Sequence, residues 1–134
     1  LRANSDKERL TMDEGKKRIL IADDEQEFLK TLKMILETHD YEVITAFDGQ
    51  EALEKVRQHK PDAIVLDISM PKLDGHEVRN RLQSEQTYRH IPVVMLTAHG
   101  QYEDIKAGID GGAVSYITKP FKVEVLLGII KGLM

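Results

Sequence analysis

Ile19-Leu20-Ile21-Ala22-Asp23-Asp24 is an apolar run closed by two acids, and Ala63-Ile64-Val65-Leu66-Asp67 repeats the pattern with one. Each run is short, rich in Ile, Leu and Val, and bounded by polar residues, as expected of a strand buried on both faces of a parallel sheet. Two such strands ending in carboxylates at one sheet edge bring three like charges together. Two unit charges about 6 Å apart repel by roughly 3 kcal/mol at an effective dielectric near 20, so this edge calls for a positive partner.

Outward from these runs, strand and helix signals alternate five times from Lys17 onward. Phe28, Leu29, Leu32, Ile35 and Leu36 recur at helical spacing after the first strand, with Asp24 as the expected N-cap and an end near Thr38. A second strand over 41–46 leads to a helix over 48–59 that turns Ala52, Leu53 and Val56 inward. The third strand ends at Asp67, and in the loop Met70-Pro71-Lys72-Leu73-Asp74-Gly75 the turn signals are Pro71 and Gly75. Asp74-Gly75 is assigned to the turn and to capping a third helix that runs to about residue 84.

A fourth strand over 91–96 ends at Thr97 and feeds a shorter helical segment that stops before Gly111-Gly112. Gly108, Gly111 and Gly112 each cost roughly 1 kcal/mol against alanine if helical, so this segment is expected to be short or mobile. His99, two residues past Thr97, is expected at the pocket rim or exposed. The fifth strand, over 114–118, ends at Lys119-Pro120, and a last amphipathic helix carries Val123, Leu126, Leu127, Ile130 and Leu133. Strict alternation calls for an α/β fold, a doubly wound (βα)5 arrangement with five parallel strands and helices on both faces. Right-handed crossovers point every strand's C-terminal end to one edge, the edge where open α/β sheets bind ligands.

The chain has 134 residues, enough for one domain with a real core. A net charge of −4 offers no basic footprint, which argues against direct nucleic-acid binding by this chain. The absence of cysteine removes any disulfide framework or thiolate metal site and fits a cytoplasmic location. The apolar stretches are too short for a membrane span, and the polar N-terminus has no signal-peptide pattern. Residues 1–16 are densely charged without a periodic face. They are expected to be a flexible tail, a linker from an upstream domain, or an expression remnant ahead of Met12, leaving 17–134 as the folded domain.

The expected topology gathers Asp23, Asp24, Asp67, Thr97 and Lys119 at one edge. Lys119 offsets part of the carboxylate repulsion, and a divalent cation offsets more. Magnesium suits such an open, oxygen-only site because it is hard, keeps several waters and prefers carboxylates to imidazole. An ammonium, a hydroxyl, a metal and a spare carboxylate together are equipped to receive a phosphoryl group. The metal and Lys119 would neutralise its equatorial oxygens, Thr97 would hydrogen-bond one of them, and Asp67 would attack phosphorus in line to give an aspartyl phosphate.

Four motifs, each after its own strand, carry a family resemblance: Ile21-Ala22-Asp23-Asp24-Glu25, then Leu66-Asp67-Ile68-Ser69-Met70-Pro71 continuing to Asp74-Gly75, then Leu96-Thr97-Ala98, then Tyr116-Ile117-Thr118-Lys119-Pro120-Phe121. Together they resemble the receiver domain of bacterial response regulators, the phosphoacceptors of two-component signalling, over nearly the whole chain beyond the tail. The resemblance implies a flavodoxin-like sheet of order 2-1-3-4-5. It makes Asp67 the phosphorylation site, supplied by the phosphohistidine of a sensor histidine kinase or a histidine phosphotransfer protein. It assigns magnesium to Asp24, Asp67 and the backbone carbonyl of Ser69, with Asp23 acting mainly through water. Lys119 would bind the phosphoryl group, its ammonium positioned by a cis bond to Pro120. Thr97 and Tyr116 would form a switch in which the hydroxyl swings toward the phosphoryl group and the ring turns into the vacated space. The altered face, built by the fourth helix, fifth strand and fifth helix, would receive a downstream output domain or protein and could support a homodimer. Catalysis would be limited to the domain's own phosphorylation and slow dephosphorylation.

Taken singly, Asp23-Asp24-Glu25 is a helix start, Asp67 turn chemistry, Thr97 a cap, Lys119 a solvated charge and Tyr116 a half-buried strand residue. Their joint placement favours chemistry. A flavin carrier of this fold would need a hydroxyl- and glycine-rich phosphate loop where Asp23-Asp24-Glu25 stands. A phosphohydrolase with an aspartyl nucleophile would place it after the first strand with a second acid two residues on. A degenerate receiver would have lost some of the five residues. The pattern leaves open a single-domain shuttle or a piece of a longer regulator or hybrid kinase.

Overall fold

Ile19 and Ile21 of β1 (Arg18–Ala22) turn to one side of the sheet, Leu20 and Ala22 to the other, and all four are fully buried. A strand buried on both faces needs a layer of helices on each. The computed structural model, which describes residues 15–98 and 115–134, has that architecture. β1, β2 (Glu42–Ala46), β3 (Ala63–Asp67), β4 (Val93–Ala98) and β5 (Ser115–Lys119) form one parallel sheet in the order β2-β1-β3-β4-β5. Leu20 pairs with Ile44 and Ile64, Leu66 with Met95, and Leu96 with Ile117.

α1 (Gln26–Glu37) contributes Leu29, Leu32 and Leu36, and the C-terminal helix (Val123–Leu133) contributes Leu126 and Ile130, to the core over Ile19, Ile21, Val65, Val94 and Leu96. On the opposite face α2 (Gly49–His59) and α3 (Gly75–Ser84) set Ala52, Leu53, Val56, Val78 and Leu82 over Leu20, Ile64, Leu66 and Met95. Each fully buried Leu, Ile or Val contributes roughly 1.5–3 kcal/mol, so the two layers clamp the inner strands β1, β3 and β4 hardest. The expected fourth helix, with His99, Gly108, Gly111 and Gly112, lies outside the described residues, as do residues 1–14 of the expected tail. Among the described residues no helix is long and apolar enough to cross a membrane.

Two of the boundaries that differ from the sequence expectation have a plain physical reason. The N-cap of α1 is Glu25, not Asp24, and it makes no side-chain cap bond. The turn is closed instead by Asp23, whose Oδ1 accepts from the Glu25 backbone N–H at 2.9 Å. β4 begins at Val93 rather than at 91. Pro92 has no N–H for a ladder, although its carbonyl still accepts from the Ile64 N–H at 3.0 Å.

The helix starts nearest the site are built for close approach. Asp74 and Glu77 form a reciprocal capping box at α3, and Gly75 donates its N–H to the Ile68 carbonyl at 2.9 Å. A Cβ at Gly75 would lie 2.6 Å from the Asp67 carbonyl oxygen. Only glycine lets α3 begin against the end of β3, where Asp67 sits.

Candidate functional site

Parallel register brings five of the expected residues to one edge. Asp67 is the last residue of β3, Lys119 the last of β5, Thr97 the penultimate residue of β4, and Asp23 and Asp24 directly follow β1. One carboxylate oxygen each from Asp23, Asp24 and Asp67 can be chosen so that all lie within 4.8 Å of one another. Asp23 is fully buried, Asp67 is 7% exposed and Thr97 2%, whereas Asp24 and Ser69 are exposed. Asp24, Asp67, Ser69, Thr97 and Lys119 line a pocket of about 240 Å³, and Asp23 lies behind it.

Lys119 is the cation among these acids. Its Nζ donates to Asp23 Oδ2 at 2.5 Å and lies 3.6 Å from Asp67 Oδ2 and 4.0 Å from Glu25 Oε1. Burial alone would lower the Lys119 pKa, but the hydrogen bond and charge of Asp23, then Asp67 and Glu25, outweigh it and raise the net value. The ammonium therefore stays charged at any physiological pH. The bond from Lys119 to Pro120 is cis, and the ammonium lies 4.6 Å from the centroid of the Phe28 ring.

One lysine does not neutralise this cluster. Burial, then the charge of Asp23, push the Asp67 carboxyl up to about 6, with Asp24 adding to the rise and Lys119 and the Ser69 N–H opposing it. Removal from water and the neighbouring acids both disfavour the ionised form, and a positive charge beside it would offset both. The donor set is oxygen only. Asp23 is engaged through Oδ1 by the Glu25 N–H and through Oδ2 by Lys119, while Asp24 and Asp67 line the pocket. These residues fit a hard divalent cation such as magnesium.

Thr97 and Tyr116 are also neighbours. Met95 and Thr97 share a face of β4, and Met95 pairs with Tyr116 on β5, so Thr97 and Tyr116 stand diagonally on that face. Tyr116 is half-buried against the core under α2 and α3 and does not line the acidic pocket. Two residues that meet Lys119 were given no such role from the sequence. Glu25 reaches Lys119 with its side chain, and Phe28, read only as a core position, lays its ring against the same ammonium. The signal for Phe28 was its place one helical turn past Asp24.

A family model described as the response regulator receiver domain matches residues 19–131. The alkaline phosphatase synthesis transcriptional regulatory protein PhoP of Bacillus subtilis is 42% identical over 118 residues, which cover 88% of this chain and 48% of that protein. Response regulator MprA of Mycobacterium leprae is 44% identical over 117 residues, 87% of this chain and 50% of its own. The chain thus spans about half the length of the curated relatives it matches. Among solved structures, the chemotaxis response regulator CheY4 of Vibrio cholerae superposes with a TM-score of 0.83 at 31% identity, covering 89% of this chain and 99% of that one. The receiver domain of Francisella response regulator 1452 gives a TM-score of 0.81 at 32% identity over 87% and 95%. With the five-stranded order and the acidic edge already in place, these likenesses settle the family: the chain belongs to the response regulator receiver domains of two-component signalling.

Proposed function

We propose that this domain is a phosphoacceptor that takes a phosphoryl group onto Asp67 from a phosphohistidine of a sensor histidine kinase or histidine phosphotransfer protein. The observation that carries this reading is the placement of Asp67, buried at the end of β3 beside two further acids and 3.6 Å from Lys119. In the transfer an Asp67 carboxylate oxygen forms the new P–O bond while the P–N bond of the phosphohistidine breaks. The electron pair leaves on the imidazole nitrogen, which takes up a proton. Asp67 must be ionised to attack, and with its carboxyl at about 6 it is predominantly so at neutral pH. Lys119 would hold a phosphoryl oxygen from the side of Asp23, and the Thr97 hydroxyl would donate to another.

Asp24, Asp67 and the Ser69 backbone carbonyl would hold magnesium, with Asp23 acting through water because its oxygens already serve Lys119 and Glu25. When bound, the ion supplies charge neutralisation for the incoming phosphoryl oxygens. Movement of Thr97 toward the phosphoryl group would open space for its diagonal neighbour Tyr116, passing the change to the β5 side of the sheet and on to an output partner or a second copy.

Incubation with magnesium and acetyl phosphate is expected to label the protein. Chelation of the metal or the substitution Asp67→Ala should abolish the label. Unchanged labelling of Asp67→Ala would overturn the assignment.

A further inference from the structure

Lys119 is held from two sides by different chemistry. On one side stand the carboxylates of Asp23 at 2.5 Å and Asp67 at 3.6 Å. On the other, the Phe28 ring centroid lies 4.6 Å from Nζ. Phe28 sits in the first turn of α1, which is anchored to the sheet by Leu29, Leu32 and Leu36. Its ring is fixed in turn by Phe121, edge-on at 6.0 Å with planes crossing at 89°, and Phe121 directly follows the cis bond at Pro120. Three consecutive residues, Lys119, Pro120 and Phe121, are thereby folded around one side chain of α1.

An aromatic face attracts an ammonium through its quadrupole but accepts no strong hydrogen bond from it. The hydrogen bond of the ammonium goes instead to Asp23 Oδ2, with Asp67 Oδ2 3.6 Å away on the pocket side. The ring also covers the ammonium where water would otherwise compete, which helps explain why this side chain is only 20% exposed.

We propose that Phe28 is a positioning residue for Lys119, its ring face aiming the ammonium at the gap between Asp23 and Asp67. Resting on the phosphoacceptor reading above, this makes the rate of Asp67 phosphorylation depend on an aromatic face at position 28. The residue touches neither phosphorus nor metal; it acts through Lys119.

The test compares wild type with Phe28→Leu, Phe28→Met and Phe28→Tyr, using acetyl phosphate with magnesium so that no protein partner can contribute. The two aliphatic variants should be labelled about five- to tenfold more slowly, the loss expected from one partly desolvated cation–π contact. Phe28→Tyr should stay within about twofold of wild type. Thermal unfolding is followed in parallel, because a merely structural role would slow labelling only in proportion to lost folded protein. A second readout needs no phosphorylation: ring current should shift the Lys119 ε-methylene protons upfield in wild type and Phe28→Tyr and leave them unshifted in Phe28→Leu and Phe28→Met. Labelling of folded Phe28→Leu at the wild-type rate, or equal slowing in Phe28→Tyr and Phe28→Leu, would overturn the proposal. Were wild type itself unlabelled, the phosphoacceptor reading and the rate effect would fall together, and the proton shifts alone would decide whether Phe28 holds the ammonium.

Discussion

The surroundings of Asp67 work against its charged form. Burial and the charge of Asp23 lift its carboxyl from 3.8 to about 6. The folded state then binds more protons than the unfolded state between those values, so stability falls as pH rises through that window. At pH 7 the ionised side chain costs on the order of 1–3 kcal/mol. Asp67→Asn should therefore be more stable than wild type at pH 7 in the presence of a chelator, by about 1–2 kcal/mol in urea unfolding. The gap should close as pH falls from about 6 through 3.8, where the Asp67 carboxyl becomes neutral first in the folded and then in the unfolded state, and should narrow when magnesium is added to wild type. A less stable Asp67→Asn at pH 7 without metal would show that the acidic cluster is not short of positive charge. At this scale Asp23, Asp24, Asp67, Thr97 and Lys119 were legible because each lies within two residues of a strand's C-terminal end, and parallel strands share an edge. Glu25 and Phe28 were not, because their contact with Lys119 depends on how α1 is rotated against the chain after β5, which periodicity does not encode.

The loop between β3 and α3 is fixed by a neighbouring helix. Asp48 caps α2 by accepting from the Glu51 N–H at 2.7 Å, and its other oxygen lies 3.4 Å from Lys72 Nζ. Next to it Gly49 donates to the Pro71 carbonyl at 3.4 Å, and a Cβ there would fall 2.0 Å from the Leu73 carbonyl oxygen. The loop that presents Ser69 is thus tied to the start of α2 through Asp48 and Gly49. The Glu51 N–H bond, then the Lys72 charge, hold the Asp48 carboxyl below its ordinary value despite some desolvation. Its contribution to stability is therefore present above 3.8 and lost as pH falls through the lowered folded value. Asp48→Ala should cost about 1 kcal/mol at pH 7, with less difference from wild type at pH 3, as read by thermal or urea unfolding. An equal cost at both pH values would mean that the charge of Asp48 does nothing. The turn and capping roles of Asp74-Gly75 could be read from their types and order. The dependence of the same loop on Gly49 could not, since it joins two loops far apart in sequence.

Across the whole molecule, the alternation of strand and helix signals was sufficient for a parallel sheet between two helical layers. Odd-numbered positions of β1 serve one core and even-numbered positions the other, and β3 and β4 follow suit. Strand order is a different kind of information. Periodicity says which faces of a strand are buried but not which strand lies beside it, so β2-β1-β3-β4-β5 rested on resemblance until the register was seen. Placement of β1 and β3 side by side is what sets Asp23 beside Asp67, and placement of β5 beyond β4 lets Lys119 reach back to both. On the proposed function, this edge carries phosphate on one carboxylate, that of Asp67. The most direct measurement is site mapping: label the protein with acetyl phosphate and magnesium, reduce the acyl phosphate with borohydride, and locate the resulting homoserine by peptide mass spectrometry. Reduction at Asp67 alone is expected; reduction at Asp23, Asp24 or Glu25, or an acid-labile phosphate on a histidine instead, would contradict it.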